Sequence, residues 1–261
     1  MNFDYTIAGF TVGFIIGLTG VGGGSLMTPL LVLLFGIKPV VAVGTDLLYA
    51  AITKCGGVWV HHKKGSVRWR IVMLLALGSI PSSLTTVFVL ERLSKHGVNF
   101  QSVITLTLSI ALMLTSLVLL FKGPLQRFGQ DERFAAVRAL HARLQEPITV
   151  LAGLILGVLV TLSSVGAGAL GAAILFFLYP RLPAVSIVGS DIAHAVPLTA
   201  VAGLGHLHLG TVDLALLLSL VAGSLPGVFI GSHLSAKVPE PVLRRLLAAM
   251  LFTIGARFAF A

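Results

Sequence analysis

Eight apolar stretches follow one another along this 261-residue chain, at about 5–35, 40–60, 71–90, 101–121, 147–179, 183–205, 211–233 and 242–260. At ~20 residues per helical crossing of a bilayer, they take up most of the length. Charged residues sit mostly between them and make up 10% of the chain, against 56% hydrophobic. A water-soluble protein of this size needs a polar skin that so few charges do not supply. The same composition excludes a disordered chain. Cys55 is the only cysteine, which excludes a disulfide framework. An all-α polytopic integral membrane protein is predicted, with about eight hydrophobic helical units and little left over for a soluble domain.

The formal net charge is +9. In a soluble protein such a balance points to nucleic acid. Here the bases fall between apolar runs, as topology signals do, and no basic face forms outside the lipid for a phosphate backbone to meet. No nucleic-acid partner is expected. The first residues carry no basic run, and no Ala-x-Ala follows the first apolar stretch, so no cleaved signal peptide is expected.

The chain also repeats itself. Val21-Gly22-Gly23-Gly24 matches Val165-Gly166-Ala167-Gly168, and Pro39 matches Pro183, both at an offset of 144. Gly44-Thr45-Asp46 matches Gly189-Ser190-Asp191, His61 matches His206, Gly65 matches Gly210, and Gly78-Ser79-Ile80-Pro81 matches Gly223-Ser224-Leu225-Pro226, all at 145. A near-constant offset through six landmarks is the mark of an internal duplication. It divides the chain into a first transmembrane repeat (1–121), a basic connection on the cytoplasmic side (122–146) and a second transmembrane repeat (147–261). Within the connection, 131–145 has the pattern of a short amphipathic surface helix.

Each repeat opens with an unusual unit. The stretch 5–35 is too long for one ordinary crossing and is interrupted by Gly20-Val21-Gly22-Gly23-Gly24. Each such glycine weakens a helix by ~1 kcal/mol relative to alanine. The flanking pieces, about 12–15 residues each, reach ~20 Å, short of the ~30 Å hydrocarbon core. The unit is either one bent span or a hairpin that dips in and returns. Residues 147–179 pose the same choice at Ser163-Ser164-Val165-Gly166-Ala167-Gly168. Charge discriminates between the two. If both units are hairpins, the halves are inverted, and thirteen basic residues fall on one side against four on the other. If both cross once, the halves are parallel and the split is ten against seven. Basic residues collect on the cytoplasmic side, so hairpins and inverted repeats are predicted, with loops 61–70 and 122–146 inside.

Chemistry is expected at the two breaks. Backbone at membrane depth must be satisfied internally or line a cavity, and the start of a half-helix offers N–H groups and a positive dipole end to an anion. Secondary transporters place substrates at such breaks near the midplane. The candidate binding residues are Thr19, Gly22, Gly23, Gly24 and Ser25 in the first half, and Ser163, Ser164, Gly166 and Gly168 in the second. Thr28 adds another hydroxyl. The competing role for the glycines is close helix packing. Asp46 and Asp191 lie inside apolar runs, where a carboxylate is costly unless paired or protonated. They suit a proton relay, or else helix caps, if Gly-Thr-Asp and Gly-Ser-Asp begin helices. Lys54 either attracts an anion or snorkels to the interface. His194, three residues after Asp191, either forms a proton-passing pair with it or is a hydrogen-bonded core histidine. These four are the candidates for coupling or gating.

Other chemistries lack their residues. The glycine run has no lysine of a phosphate-binding loop and no βαβ context. The aspartates do not stand in the Gly-x-Gly-Asp of intramembrane aspartyl proteases. His61-His62 and His206-x-His208 have neither thiolate nor carboxylate beside them to make a metal site. No nucleophile set is present, and no enzyme activity, metal or cofactor is expected.

The run Gly13-x3-Gly17-x2-Gly20-Val21-Gly22-Gly23-Gly24-Ser25-x3-Pro29, with Ala42-Val43-Gly44-Thr45-Asp46 and His61-x3-Gly65, resembles the TauE/SafE family of sulfite-exporter-like permeases. Ser190-Asp191, Gly210-x2-Asp213 and Gly223-Ser224-Leu225-Pro226-Gly227 extend the resemblance over about 5–260. The second glycine segment is less glycine-rich than the first. The resemblance implies a multi-pass cell-membrane transporter, an exporter in that family's naming, of small anions such as sulfite or organosulfonates. Residues and resemblance together predict alternating access with proton coupling. The partners expected are a small anionic substrate and the lipid bilayer, and a homo-oligomer is compatible with such a chain. An anion channel, a membrane enzyme and a structural subunit are the alternatives.

Overall fold

A computed structural model of the chain describes residues 3–19, 24–128, 135–234 and 240–259, without the side chains at 19, 24–25, 122–128, 135–143, 232, 240–244 and 246. All regular structure among them is helical: α1 (Phe3–Thr19), α2 (Gly24–Phe35), α3 (Pro39–Lys63), α4 (Trp69–Lys95), α5 (Gln101–Phe128), α6 (Ala135–Ser163), α7 (Ala169–Leu178), α8 (Ala184–His208), α9 (Leu214–Leu234) and α10 (Glu240–Ala259). Among the described residues, five stretches are long and apolar enough to cross a membrane: Trp69–Lys95, Gln101–Phe121, Leu144–Ser163, Ala184–His208 and Leu214–Gly231. Helices meet the membrane's demand that every N–H and C=O find a partner within the chain. Large apolar side chains cover the outside. Met73, Leu77, Leu84 and Phe88 form one exposed face of α4, as a lipid-facing surface would.

The two odd stretches are each split in two. In the second half the break runs from Ser164 to Gly168. Ser164 (φ 57°), Gly166 (φ 119°) and Gly168 (φ 141°) take left-handed conformations, which glycine adopts without a Cβ clash. The chain then turns back. At its far end the Leu178 carbonyl accepts a hydrogen bond from the Gln145 side chain, and the Tyr179 and Thr149 hydroxyls pair at 2.8 Å. The end of α7 therefore lies beside an early part of α6, and the unit is a hairpin. The first half has the same closure. Tyr5 at the start of α1 meets Phe35 at the end of α2, ring centroids 5.2 Å apart.

Helix α3 begins at Pro39, whose missing N–H costs nothing in a first turn, and α8 begins just after Pro183. These two helices pack against each other in opposite directions. A Cβ added to Gly44 would meet Thr211 and His206, one added to Gly203 would meet Leu48, and one added to Gly189 would meet His61 and Ser66. Helix α1 packs on α9, and α6 on α4. Both contacts are set by glycine. A Cβ on Gly78 would run into the Val150 carbonyl, and one on Gly223 into that of Thr6.

The stretch expected as a connection, 122–146, is helical up to Phe128 as the end of α5, and helical again from Ala135 as the beginning of α6. Helix α6 passes through Pro147 without ending. Residues 129–134 lie outside the described residues.

Candidate functional site

Asp46 and Asp191 each sit seven residues into an unbroken helix. The capping alternative therefore fails. Gly-Thr-Asp and Gly-Ser-Asp are helix interior, and their carboxylates face other helices. Asp46 is buried and its Oδ2 accepts a hydrogen bond from the Thr28 hydroxyl of α2 at 2.6 Å. Asp191 is buried against the first turn of α7, where its Oδ1 occupies the space a Cβ on Gly171 would need. Each acid thus lies near the beginning of the short helix in its own half. The positive end of a helix favours negative charge there. The protein's own carboxylates reach the helix starts at which a bound anion was expected.

Lys54 is buried and donates to the Ala167 carbonyl at 2.7 Å, across 113 residues of sequence. Its ammonium interacts electrostatically with both Asp191 and Asp46. One lysine of α3 thus connects the two acids to the turn of the second hairpin. His194 is buried and its Nε2 pairs with the Ser79 hydroxyl of α4 at 2.8 Å. Its contact is with a hydroxyl from the other half, and among the described residues it makes no hydrogen bond to Asp191.

Ser163 shapes the turn. Its hydroxyl donates to the Leu159 carbonyl at 2.6 Å and accepts from the Val165 N–H at 3.1 Å. Ser164 is buried beside Asp46, and its hydroxyl has no hydrogen-bond partner among the described residues. Gly166 and Gly168 form the turn, and their carbonyls accept from the Gly171 and Ala172 N–H groups. In the first half Thr19 ends α1, while Gly24 and Ser25 open α2. Gly22 and Gly23 lie outside the described residues, and so do the side chains of Thr19 and Ser25. The structure thus brings Asp46, Lys54, Asp191, His194 and Ser164 into one buried region between α3, α8 and the second hairpin.

Four participants went unremarked in the sequence. Ser79 holds His194. Gly171 makes room for Asp191. The Ala167 carbonyl holds Lys54. Tyr49 is buried and faces Ser224. Tyr49 and Ser224 stand 145 residues before and after their counterparts His194 and Ser79, so the repeat offset contained the signal. A backbone carbonyl has no such signal.

His61 and His206, weighed above for a metal, are engaged singly. His61 Nδ1 pairs with the Ser66 hydroxyl at 2.8 Å. His206 pairs with the Thr211 hydroxyl at 2.8 Å and with the Thr161 carbonyl at 2.9 Å.

Compared with known proteins, the chain matches the family described as Sulfite exporter TauE/SafE over residues 5–258. The chain belongs to the TauE/SafE family. One relative is the probable membrane transporter protein YjnA of Bacillus subtilis (strain 168), 36% identical over 98% of each chain. The probable membrane transporter protein YdhB of the same organism is 27% identical over 90% of this chain and 91% of its own. A relative from Methanocaldococcus jannaschii, probable membrane transporter protein MJ0441, is 26% identical over 95% of this chain and 92% of its own. No solved structure matches the chain. This TauE/SafE protein is a multi-pass membrane transporter, and the buried acids, lysine and hydroxyls above are its polar interior.

Proposed function

We propose that the protein exports a small oxyanion or sulfonate across the cell membrane by alternating access, with Asp46 and Asp191 coupling the movement to protons. The observation that carries this reading is the polar region between the two halves. Each half contributes one buried carboxylate at the corresponding position, and the turn of the second hairpin opens onto them. Sulfite comes from the family's description. The anion class draws on that description together with the lysine and hydroxyl donors.

Inverted halves fit the same reading. With both opening units as hairpins, three crossings follow in each half, and the second half starts from the opposite side. The contacts between helix ends agree with this arrangement. On the side assigned to the cytoplasm, Arg70 pairs with Glu146 and the Arg68 N–H donates to Ser190. On the other side, the Asp213 N–H donates to Thr45, and His208 approaches Glu91 at 3.8 Å.

The test is flux of labelled sulfite and sulfonates in proteoliposomes, with and without a pH gradient. Saturable flux with counter-transport is expected, and it would separate a carrier from a pore. Asp46→Asn is expected to weaken the response to the gradient, leaving the part that Asp191 carries. Full pH-dependent flux in that variant would refute the role given to Asp46.

A further inference from the structure

Lys54 has no counterpart in the second half. The position 145 residues on is Thr199, whose hydroxyl donates to the Ala195 carbonyl of its own helix at 2.8 Å. The buried region therefore holds two carboxylates from corresponding positions and one ammonium from α3 alone. When all are ionised, they sum to one negative charge. The ammonium uses one of its three protons on Ala167, and among the described residues it makes no other hydrogen bond. Among the described residues, Oδ1 of Asp46, Oδ1 of Asp191 and the Ser164 hydroxyl are fully buried and complete no hydrogen bond, although the Ser164 hydroxyl faces Asp46. Native interiors satisfy nearly all such groups. Unmatched donors and acceptors gathered in one region suit a polar ligand.

We infer that Lys54, together with the Ser164 hydroxyl that lies beside Asp46, holds the transported anion, and that the anion enters only when Asp46 and Asp191 both carry protons. This inference rests on the anion-transport reading above. Charge decides its second part. With one carboxylate ionised, the ammonium is already neutralised, and a monoanion would leave a net negative charge away from water. Unpaired buried charge is strongly disfavoured. With both acids protonated, the region carries one positive charge and a monoanion balances it. Protonation also turns each carboxyl from an acceptor that repels an oxyanion into an O–H donor that can face one. The other titratable groups facing this region are Tyr49 of α3 and His194 of α8. They lie against the Ser224 and Ser79 hydroxyls. From α2 and α7 the neighbours are Thr28 and Gly171, which do not titrate. Binding of each anion thus takes up two protons at these acids, and a single lysine sets the number of bound anions at one.

The experiment is anion binding to the purified full-length protein in detergent, followed by thermal shift and calorimetry from about pH 5 to 8. The probes are sulfite and methanesulfonate, the latter because it stays a monoanion over that range. Methanesulfonate affinity is expected to fall with rising pH, by ~10-fold per unit while one proton is taken up and up to ~100-fold where two are. The double variant Asp46→Asn/Asp191→Asn is expected to bind at every pH as wild type does at its lowest. Lys54→Met is expected to weaken binding ~100-fold or more, and Lys54→Arg to retain most of it. The triple variant Lys54→Met/Asp46→Asn/Asp191→Asn leaves no charge in this region and guards against misfolding. With an intact melting transition it should bind neither probe. Binding that does not change with pH in the wild type, or that survives in either Lys54→Met background, overturns this inference alone. No binding of either probe to the wild type at any pH overturns the anion reading as well.

Discussion

The hydroxyl of Thr45 accepts a hydrogen bond from the backbone N–H of Asp213 at 3.1 Å, 168 residues away. Its counterpart Ser190 accepts one from the N–H of Arg68 at 2.9 Å. Each half thus uses the residue before its buried aspartate to hold the start of a helix that follows the partner helix of the other half. Thr45→Val keeps the shape and removes the acceptor. It should lower stability by about 1–2 kcal/mol, the cost of a lost and partly unreplaced hydrogen bond. Thermal unfolding in detergent reads the loss, and Thr45→Ser should restore most of it.

Asp213 also caps α9, since its Oδ1 accepts the Leu216 N–H at 3.0 Å. Asp213→Ala should cost about 1 kcal/mol and Asp213→Asn close to nothing. Neither should alter the pH dependence of flux, because the Asp213 carboxylate is engaged at the start of α9. A changed pH profile would show that the group does more than cap.

Gly78 and Gly223 occupy corresponding positions in α4 and α9, and each lies against a carbonyl of the helix it packs on. Alanine at either must push two helices apart. The expected loss is about 1–3 kcal/mol, as for other overpacked contacts. Gly56 is the control, because a Cβ there meets open space. Gly56→Ala should be neutral or mildly stabilising. Equal behaviour of all three in unfolding experiments would remove close packing as the reason for these glycines.

Sidedness can be read with an impermeant maleimide in intact cells, after the exposed Cys55 is replaced by serine. Lys64→Cys follows α3 and His96→Cys follows α4, so the two should lie on opposite faces. His96→Cys should label in intact cells and Lys64→Cys only after permeabilisation. Labelling of both from outside would rule out the orientation given to the halves.

Much of the architecture was readable from residues. Apolar length located the membrane helices, and the glycines of 163–168 located the turn of the second hairpin, because both are dictated by local chemistry. What escaped depended on distant partners. Gly-Thr-Asp looks like a helix start in water. Within a bilayer the backbone has no better option than to remain helical, and Thr45 is free to serve α9. The connection was expected to end at residue 146, yet α6 begins within it and runs on through Pro147. Asp46 and Asp191 were visible as a pair, but their surroundings differ: a threonine hydroxyl for one, a glycine surface for the other. Lys54 appeared isolated because its partner is a carbonyl, which every residue possesses.

The exchange of partners, α1 against α9 and α6 against α4, has a consequence for how the protein is made. A ribosome that has delivered α1 to α5 into the membrane has finished one half in which the faces of α1 and α4 that later meet α9 and α6 still face lipid. The glycine faces of α1 and α4 wait for helices not yet synthesised. Insertion and final packing are therefore separate events in this chain, and either half, produced alone, leaves its most extensive helix contacts unmade. A gene split between Phe128 and Ala135 should yield transport only when both pieces are expressed together.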